Sequence, residues 1–204
     1  VIFHLLFSNG PHNSLENKRW NMTGQYPWKA ILGGDGMEVQ IDNRNPNIVF
    51  TGSQFGFYAR LDLDTGRRKS IKPIHELGNS PFRFNWQTPI LLSPHNQDVL
   101  YLGSNFLHKS TNQGDDWQTI SEDLTNGGKK GNVPYGTITT ISESPVKEGV
   151  LYTGSDDGHV YVSKNSGKTW KNISGNLPKE LWVSNVYASN HDEKVVYLSL
   201  DGYR

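Results

Sequence analysis

The chain has 204 residues, 20 Lys plus Arg against 20 Asp plus Glu, and no cysteine. Zero formal charge supplies no basic surface for nucleic acid, and the lack of Cys excludes a disulfide scaffold, a zinc ribbon, a Cys nucleophile and dithiol redox chemistry. No apolar run approaches the roughly 18–20 residues of a membrane span, so no direct membrane insertion is expected.

Val1 to Phe7 is apolar but short and has no basic flank, so it does not read as a signal peptide. An opening on Val1 rather than Met suggests a processed, trimmed or partial chain. Beyond it the chain is rich in Gly, Pro and Tyr, and its apolar runs are short, which points to an all-β protein. One of these runs repeats. Val49-Phe50-Thr51-Gly52-Ser53 returns as Leu100-Tyr101-Leu102-Gly103-Ser104 and as Leu151-Tyr152-Thr153-Gly154-Ser155, each 51 positions on. Val196-Tyr197-Leu198-Ser199 is a weaker fourth copy.

Each copy is approached by a strand and a turn. Val39 to Asp42 precedes Asn45-Pro46-Asn47, Ile90 to Ser93 precedes Pro94-His95-Asn96, Thr140 to Glu143 precedes Ser144-Pro145, and Val186 to Ser189 precedes Asn190-His191-Asp192. Pro and Asn at these places are turn chemistry between hairpin strands. A second hairpin follows in each unit: Ala59 to Leu63 turns at Asp64-Thr65-Gly66, Leu107 to Ser110 returns at Trp117, and Val160 to Ser163 returns at Trp170. Four short antiparallel strands in about 45–50 residues are the size of one β-propeller blade. The expected organisation is a single propeller segment: a partial blade or leading segment over 1–34, blades over 35–87, 88–138 and 139–183, and a partial blade over 184–204. No long amphipathic helix is expected; Glu180 to Val186 could hold a short turn at most.

Ser110-x-Asn112-x-Gly114-x-Asp116-Trp117 and Ser163-x-Asn165-x-Gly167-x-Thr169-Trp170 resemble the Asp-box, or bacterial neuraminidase repeat, Ser-x-Asp-x-Gly-x-Thr-Trp. Both copies carry Asn where Asp is usual, and the first carries Asp116 where Thr is usual. The expected role of these eight motif residues, Ser110, Asn112, Gly114, Trp117, Ser163, Asn165, Gly167 and Trp170, is structural. The Asx side chain accepts from its own turn, Gly takes positive φ, and Trp packs between sheets. In related propellers this hairpin lies away from the ligand face. Gly33-Gly34-Asp35-Gly36, Arg83-Phe84-Asn85-Trp86 and Thr139 to Pro145 are similar to the sortilin-type and glycosyl-hydrolase-like repeat domains of large exported bacterial proteins. The likeness covers roughly residues 30–204, and Ser8-Asn9-Gly10 would correspond to a loop leading into a blade. It implies an extracytoplasmic place (periplasmic, cell-surface or secreted), with the signal sequence not in this chain.

Sialidase chemistry is not implied, since Pro81-Phe82-Arg83-Phe84 matches the Phe/Tyr-Arg-Ile-Pro motif in Phe-Arg alone. A glycoside hydrolase needs two carboxylates across a cleft. The candidates are Asp35, Glu38, Glu143, Asp156 and Asp157, with Asp35 and Glu143 foremost: Asp35 for its Gly-rich loop, Glu143 for strand spacing toward a channel. Asp156-Asp157-Gly158 reads first as a hairpin turn. Arg83, Asn85, Trp86 and Gln87 form a polar-aromatic cluster suited to stacking and hydrogen bonding with a sugar or peptide, and with Asp35 and Tyr135 they are the candidate ligand-binding residues. The seven His are scattered without ligand spacing, so no metal and no cofactor is expected. Three readings follow. The first is a binding or assembly module taking a glycan or protein partner on one loop face. The second is a polysaccharide-active glycoside hydrolase or part of one. The third is a subunit or fragment of a larger complex, associating through open blade edges.

Overall fold

The computed structural model describes residues 30–202 in full and, for the backbone alone, three strands that precede them. Those are β1 (Ile2–Leu6), β2 (Gly10–Ser14) and β3 (Trp28–Ala30), an antiparallel sheet. Most of the Ser8-Asn9-Gly10 loop lies outside the described residues. Three four-stranded antiparallel sheets follow. The second sheet is β4 (Val39–Ile41), β5 (Ile48–Ser53), β6 (Phe57–Asp62) and β7 (Arg68–Ser70). The third is β8 (Ile90–Leu92), β9 (Leu100–Gly103), β10 (Leu107–Ser110) and β11 (Gln118–Thr119). The fourth is β12 (Ile138–Glu143), β13 (Leu151–Ser155), β14 (Val160–Ser163) and β15 (Lys171–Asn172). A fifth pairs β16 (Trp182–Ala188) with β17 (Val196–Asp201), so a strand occupies the stretch expected to hold at most a short turn.

Each four-stranded sheet is laid down in sequence order, and β4, β8, β12 and β16 contact one another in turn. These first strands therefore line a common axis, and the sheets radiate from it as the blades of a β-propeller. The first turns are tied by the side chain that precedes them. Asp42 Oδ1 accepts from Arg44 N–H at 2.9 Å, Ser93 Oγ from His95 N–H at 3.2 Å and Ser189 Oγ from His191 N–H at 3.1 Å. These Asx- and Ser-turns fix the hairpin register locally.

The core lies between sheets. Phe50, Tyr101 and Tyr152 each project forward from the second strand into the next sheet, and none is more than 4% exposed. Phe50 packs with Ile90, Leu92, Leu100 and Leu102, Tyr101 with Ile138 and Leu151, and Tyr152 with Val183 and Val186. Burying one such side chain contributes about 1.5–3 kcal/mol, so the 51-residue repeat is a repeat of inter-sheet contacts. Glycines two residues later let the next sheet approach: a Cβ on Gly103 would lie 2.9 Å from Ile138 Cγ2, and one on Gly154 2.3 Å from Val183 Cγ1.

The two Ser-x-Asn-x-Gly-x-x-Trp turns clamp adjacent sheets. Gly114 and Gly167 have φ of 86° and 88°, and their N–H groups donate to Ser110 Oγ and Ser163 Oγ at 2.8 and 2.9 Å. Trp117 Nε1 donates to the Ile71 carbonyl at 2.8 Å and Trp170 Nε1 to that of Ile120 at 2.9 Å, each in the preceding sheet's outgoing link. The two motif departures are coupled. Asn112 donates its amide to Asp116 Oδ2 at 2.9 Å, whereas Asn165 meets the Thr169 hydroxyl at 2.8 Å.

Candidate functional site

In a four-stranded antiparallel sheet the first and third turns fall at one end, and the second turn and the link to the next sheet at the other. The Ser-x-Asn-x-Gly turns therefore occupy one end. The hairpins 54–56, 104–106 and 156–159 gather at the opposite end with the links 31–38, 71–89, 120–137 and 173–181. All six ligand-binding candidates lie on that second end.

Polar groups on these loops bind one another. Arg83 donates Nε to the Gly136 carbonyl at 3.0 Å and a terminal nitrogen to Asp123 Oδ2 at 2.7 Å and Thr125 Oγ1 at 3.1 Å. Asn105 accepts from Arg83 N–H and donates to the same Asp123 carboxylate. Burial pushes the Asp123 carboxyl up, but the donors from Thr125, Asn105 and Arg83 outweigh it and hold the group below the usual range. Asn85, buried, donates to Thr137 Oγ1 at 2.8 Å, and that hydroxyl donates to Asp156 Oδ2 at 2.9 Å. Asp156 Oδ1 accepts from Gly136 and Thr137 N–H, and burial nonetheless raises its pKa. Asp157 accepts from Asn126 N–H at 2.7 Å and Ser155 Oγ at 2.5 Å. Asp156 and Asp157 thus do more than form a hairpin turn: they lock it to the 120–137 link.

This frame holds up a surface. Trp86 is 43% exposed and sits edge-on to Phe55, with ring centroids 5.1 Å apart, and Phe55 N–H donates to its carbonyl at 3.1 Å. Gln87 beside it is exposed. Asp35, half-buried, accepts from Gln54 Nε2 at 3.2 Å, so the hairpin 54–56 brings Asp35 and Trp86 to one place. Tyr135 accepts from Lys129 Nζ at 3.4 Å. Glu143 is elsewhere. It ends β12 at the opposite end of the sheet, buried, where Oε1 accepts from Gly149 N–H at 3.1 Å and Tyr101 Oη at 3.4 Å and braces the 144–150 turn.

Two features stand out beyond the foremost candidates. The first is Glu38, one of the five candidate carboxylates, directly ahead of β4. Its Oε2 accepts from Ile90 N–H of the neighbouring β8 at 3.3 Å, and burial raises its pKa to about 7 against that hydrogen bond. Its place two residues before Gln40, whose Oε1 accepts from Leu92 N–H, was readable as a period-two face, but its burial was not. The second is a set of exposed apolar side chains. Among the described residues, Phe57, Ile74, Leu77, Trp86 and Val133, five of the nine large exposed apolar ones, belong to this loop end. Ile74 and Leu77, 85% and 104% exposed, sit in a link without strand periodicity, so no pattern marks them. Lys72 anchors that link: its Nζ donates to the Phe55 carbonyl at 2.8 Å and lies 3.9 Å from the Phe57 ring centroid. A groove of about 790 Å³ lies on the rim between the third and fourth sheets along Thr119, Glu122, Lys168 and Trp170, and none of the ligand-binding candidates lines it.

No family model matches the chain. Over 104 residues, 51% of its length, the chain is 29% identical to vacuolar protein sorting/targeting protein 10 of Emericella nidulans, a stretch that makes up 6% of that protein. Among solved structures, the GH74 xyloglucanase of Xanthomonas campestris superposes on 97% of this chain and 31% of its own, with a TM-score of 0.63 and 20% identity. An ancestral GH74 enzyme matches 81% of this chain and 22% of its own at 0.56 and 18%. YCF48 bound to D1 peptide matches 76% and 44% at 0.50 and 15%. The chain spans less than half the length of each of these proteins. The structural likenesses establish the fold, a β-propeller, shared by proteins of different activities.

Proposed function

We propose that this chain is a binding module whose loop end takes a protein partner in an extracytoplasmic setting. The observation that carries the reading is the concentration of Phe57, Ile74, Leu77, Trp86 and Val133 on one end of the sheets. Exposed aliphatic side chains gain little from a sugar and much from another apolar protein surface. The frame of Arg83, Asn85, Asp123, Thr137 and Asp156 pre-organises the loops, which lowers the ordering cost of binding. A sorting protein among the relatives and a peptide complex among the structural neighbours support a protein ligand. Asp35 and Gln87 supply hydrogen bonds beside the Trp86 ring. The two Ser-x-Asn-x-Gly-x-x-Trp turns are read as Asp-boxes serving only the scaffold.

The test is one labelled chain applied to a peptide array and a glycan array, alongside Leu77→Asp and Trp86→Ala. The expected result is capture by apolar peptides that both variants lose without a change in melting temperature. Capture by glycans alone, or binding indifferent to both substitutions, sinks the reading.

A second reading, a glycoside hydrolase, is favoured by Glu38, whose pKa of about 7 suits a general acid, and by the GH74 neighbours. Release of reducing sugar from xyloglucan, lost in Glu38→Gln, would establish it in place of the first.

A further inference from the structure

We infer that the open face of the fifth sheet is a docking surface for a further antiparallel β-sheet of the same blade type. The series of buried aromatics carries this. Phe50, Tyr101 and Tyr152 face the next sheet and are 0%, 1% and 4% exposed; Tyr197 is the fourth member and is 61% exposed. The register is the same in the sheets that bear it: Gln40 pairs with Phe50, Leu91 with Tyr101, Ser142 with Tyr152 and Tyr187 with Tyr197. The reverse face of this sheet is closed, with Val183, Val186 and Ala188 packed in one cluster with Tyr152 and Val160.

The first strands carry a second signal. At two of the three steps from sheet to sheet, side chains of the preceding sheet accept from backbone N–H groups of the innermost strand; β8, with Leu91 at the matching place, has no such acceptor for β12. Glu38 and Gln40 accept from Ile90 and Leu92 N–H, and Thr140 and Ser142 accept from Val186 and Ala188 N–H at 3.2 and 3.0 Å. The equivalent positions of β16 are Asn185 and Tyr187, both exposed, and the Tyr187 hydroxyl is in hydrogen-bond contact with Asn190. They offer two acceptors, two residues apart, to a strand laid alongside. The face they share with Ser184, Tyr197 and Ser199 carries one charge, Asp201 at its loop end, so a sheet laid over Asn185, Tyr187, Tyr197 and Ser199 meets uncharged side chains there.

One position sets the geometry of the partner. Where Gly103 and Gly154 admit Ile138 and Val183, the fifth sheet has Ser199, its hydroxyl 2.9 Å from that of Ser184. A residue as large as Val or Ile cannot come as close there. The docking sheet therefore places Gly or Ala opposite Ser199, with its first strand's N–H groups on Asn185 and Tyr187.

The test extends the full chain by joining a second copy of residues 156–201 after Leu200, with Val183→Ala in the added copy. This completes the fifth sheet and supplies a sheet to its face. Urea unfolding midpoints are compared for Tyr197→Ala in the 204-residue chain, Tyr197→Ala in the extended chain, and Tyr152→Ala. The expected result is no shift in the 204-residue chain and, in the extended chain, a fall as large as that from Tyr152→Ala. An equal effect of Tyr197→Ala in both chains overturns the inference, as does an extended chain whose added amides exchange with solvent as fast as an unfolded peptide. Sedimentation of the 204-residue chain from 1 to 100 µM tests the other occupant: a dimer dispersed by Tyr197→Asp would assign the face to a second copy and overturn the blade.

Discussion

Glu38 makes the stability of the propeller depend on pH in a direction that a surface carboxylate would not. Burial between β4 and β8 raises its pKa from 4.5 to about 7. Between these values the native state holds a proton that the unfolded chain has released. The native state therefore binds more protons, and its stability falls as pH rises through that window. The shift corresponds to about 3 kcal/mol between the two plateaus. Glu38→Gln keeps an acceptor for Ile90 N–H but has nothing to ionise. In paired urea titrations the variant should match the wild type within about 0.5 kcal/mol at pH 4.5 and exceed it by about 3 kcal/mol at pH 8, other groups cancelling in the difference. A difference that is the same at both pH values, or a wild type that gains on the variant above pH 7, would refute the reasoning.

Three further outcomes are expected. Asn165→Asp should change stability little, because the Thr169 hydroxyl can turn to donate to a carboxylate, whereas Asn112→Asp faces Asp116 and should cost about 1–2 kcal/mol; thermal melts of both variants at low salt check the contrast. Gly154→Ala drives a methyl into Val183 and should cost at least about 1–3 kcal/mol, while Gly33→Ala, whose Cβ meets nothing within 4 Å, should stay near wild type by the same denaturant assay. Arg83→Ala removes the donor that joins the 71–89 link to Asp123 and Gly136; hydrogen exchange should speed up across the 120–137 link and leave β12 to β15 protected, and uniform acceleration throughout would contradict a local role.

Much of the fold was legible because it is written in local chemistry. The Asn, Ser and Pro turns, the period-two strands and the Ser-x-Asn-x-Gly-x-x-Trp hairpins each need only a few neighbouring residues to be read. The repeat at Phe50, Tyr101 and Tyr152 added the long-range element, since a contact made three times in the same way leaves the same letters three times. Tyr135, Asp35, Arg83, Asn85, Trp86 and Gln87 were drawn from the loops that meet at one end, but the division of labour among them was not readable.

That division is tertiary. Arg83 and Asn85 find their partners 40 to 53 residues away, at Asp123, Gly136 and Thr137, so the same polar side chains that looked ready for a ligand hold the loops to each other. Trp86 stays at the surface, with Phe55 set against it in a T-shaped contact. Glu38 and Glu143 look alike in the sequence, one directly ahead of a strand that begins a sheet and the other at the end of one. Their distinct environments come from their partners: one backbone N–H of the neighbouring sheet for Glu38, and for Glu143 a tyrosine hydroxyl of the neighbouring sheet together with an amide of its own sheet's turn. Sequence by itself determined the strands, their turns and the repeat, because those are set by short-range sterics and hydrogen bonds. Only the packing of sheet on sheet decided which polar groups are satisfied, which carboxyl is desolvated and which apolar side chains are left exposed.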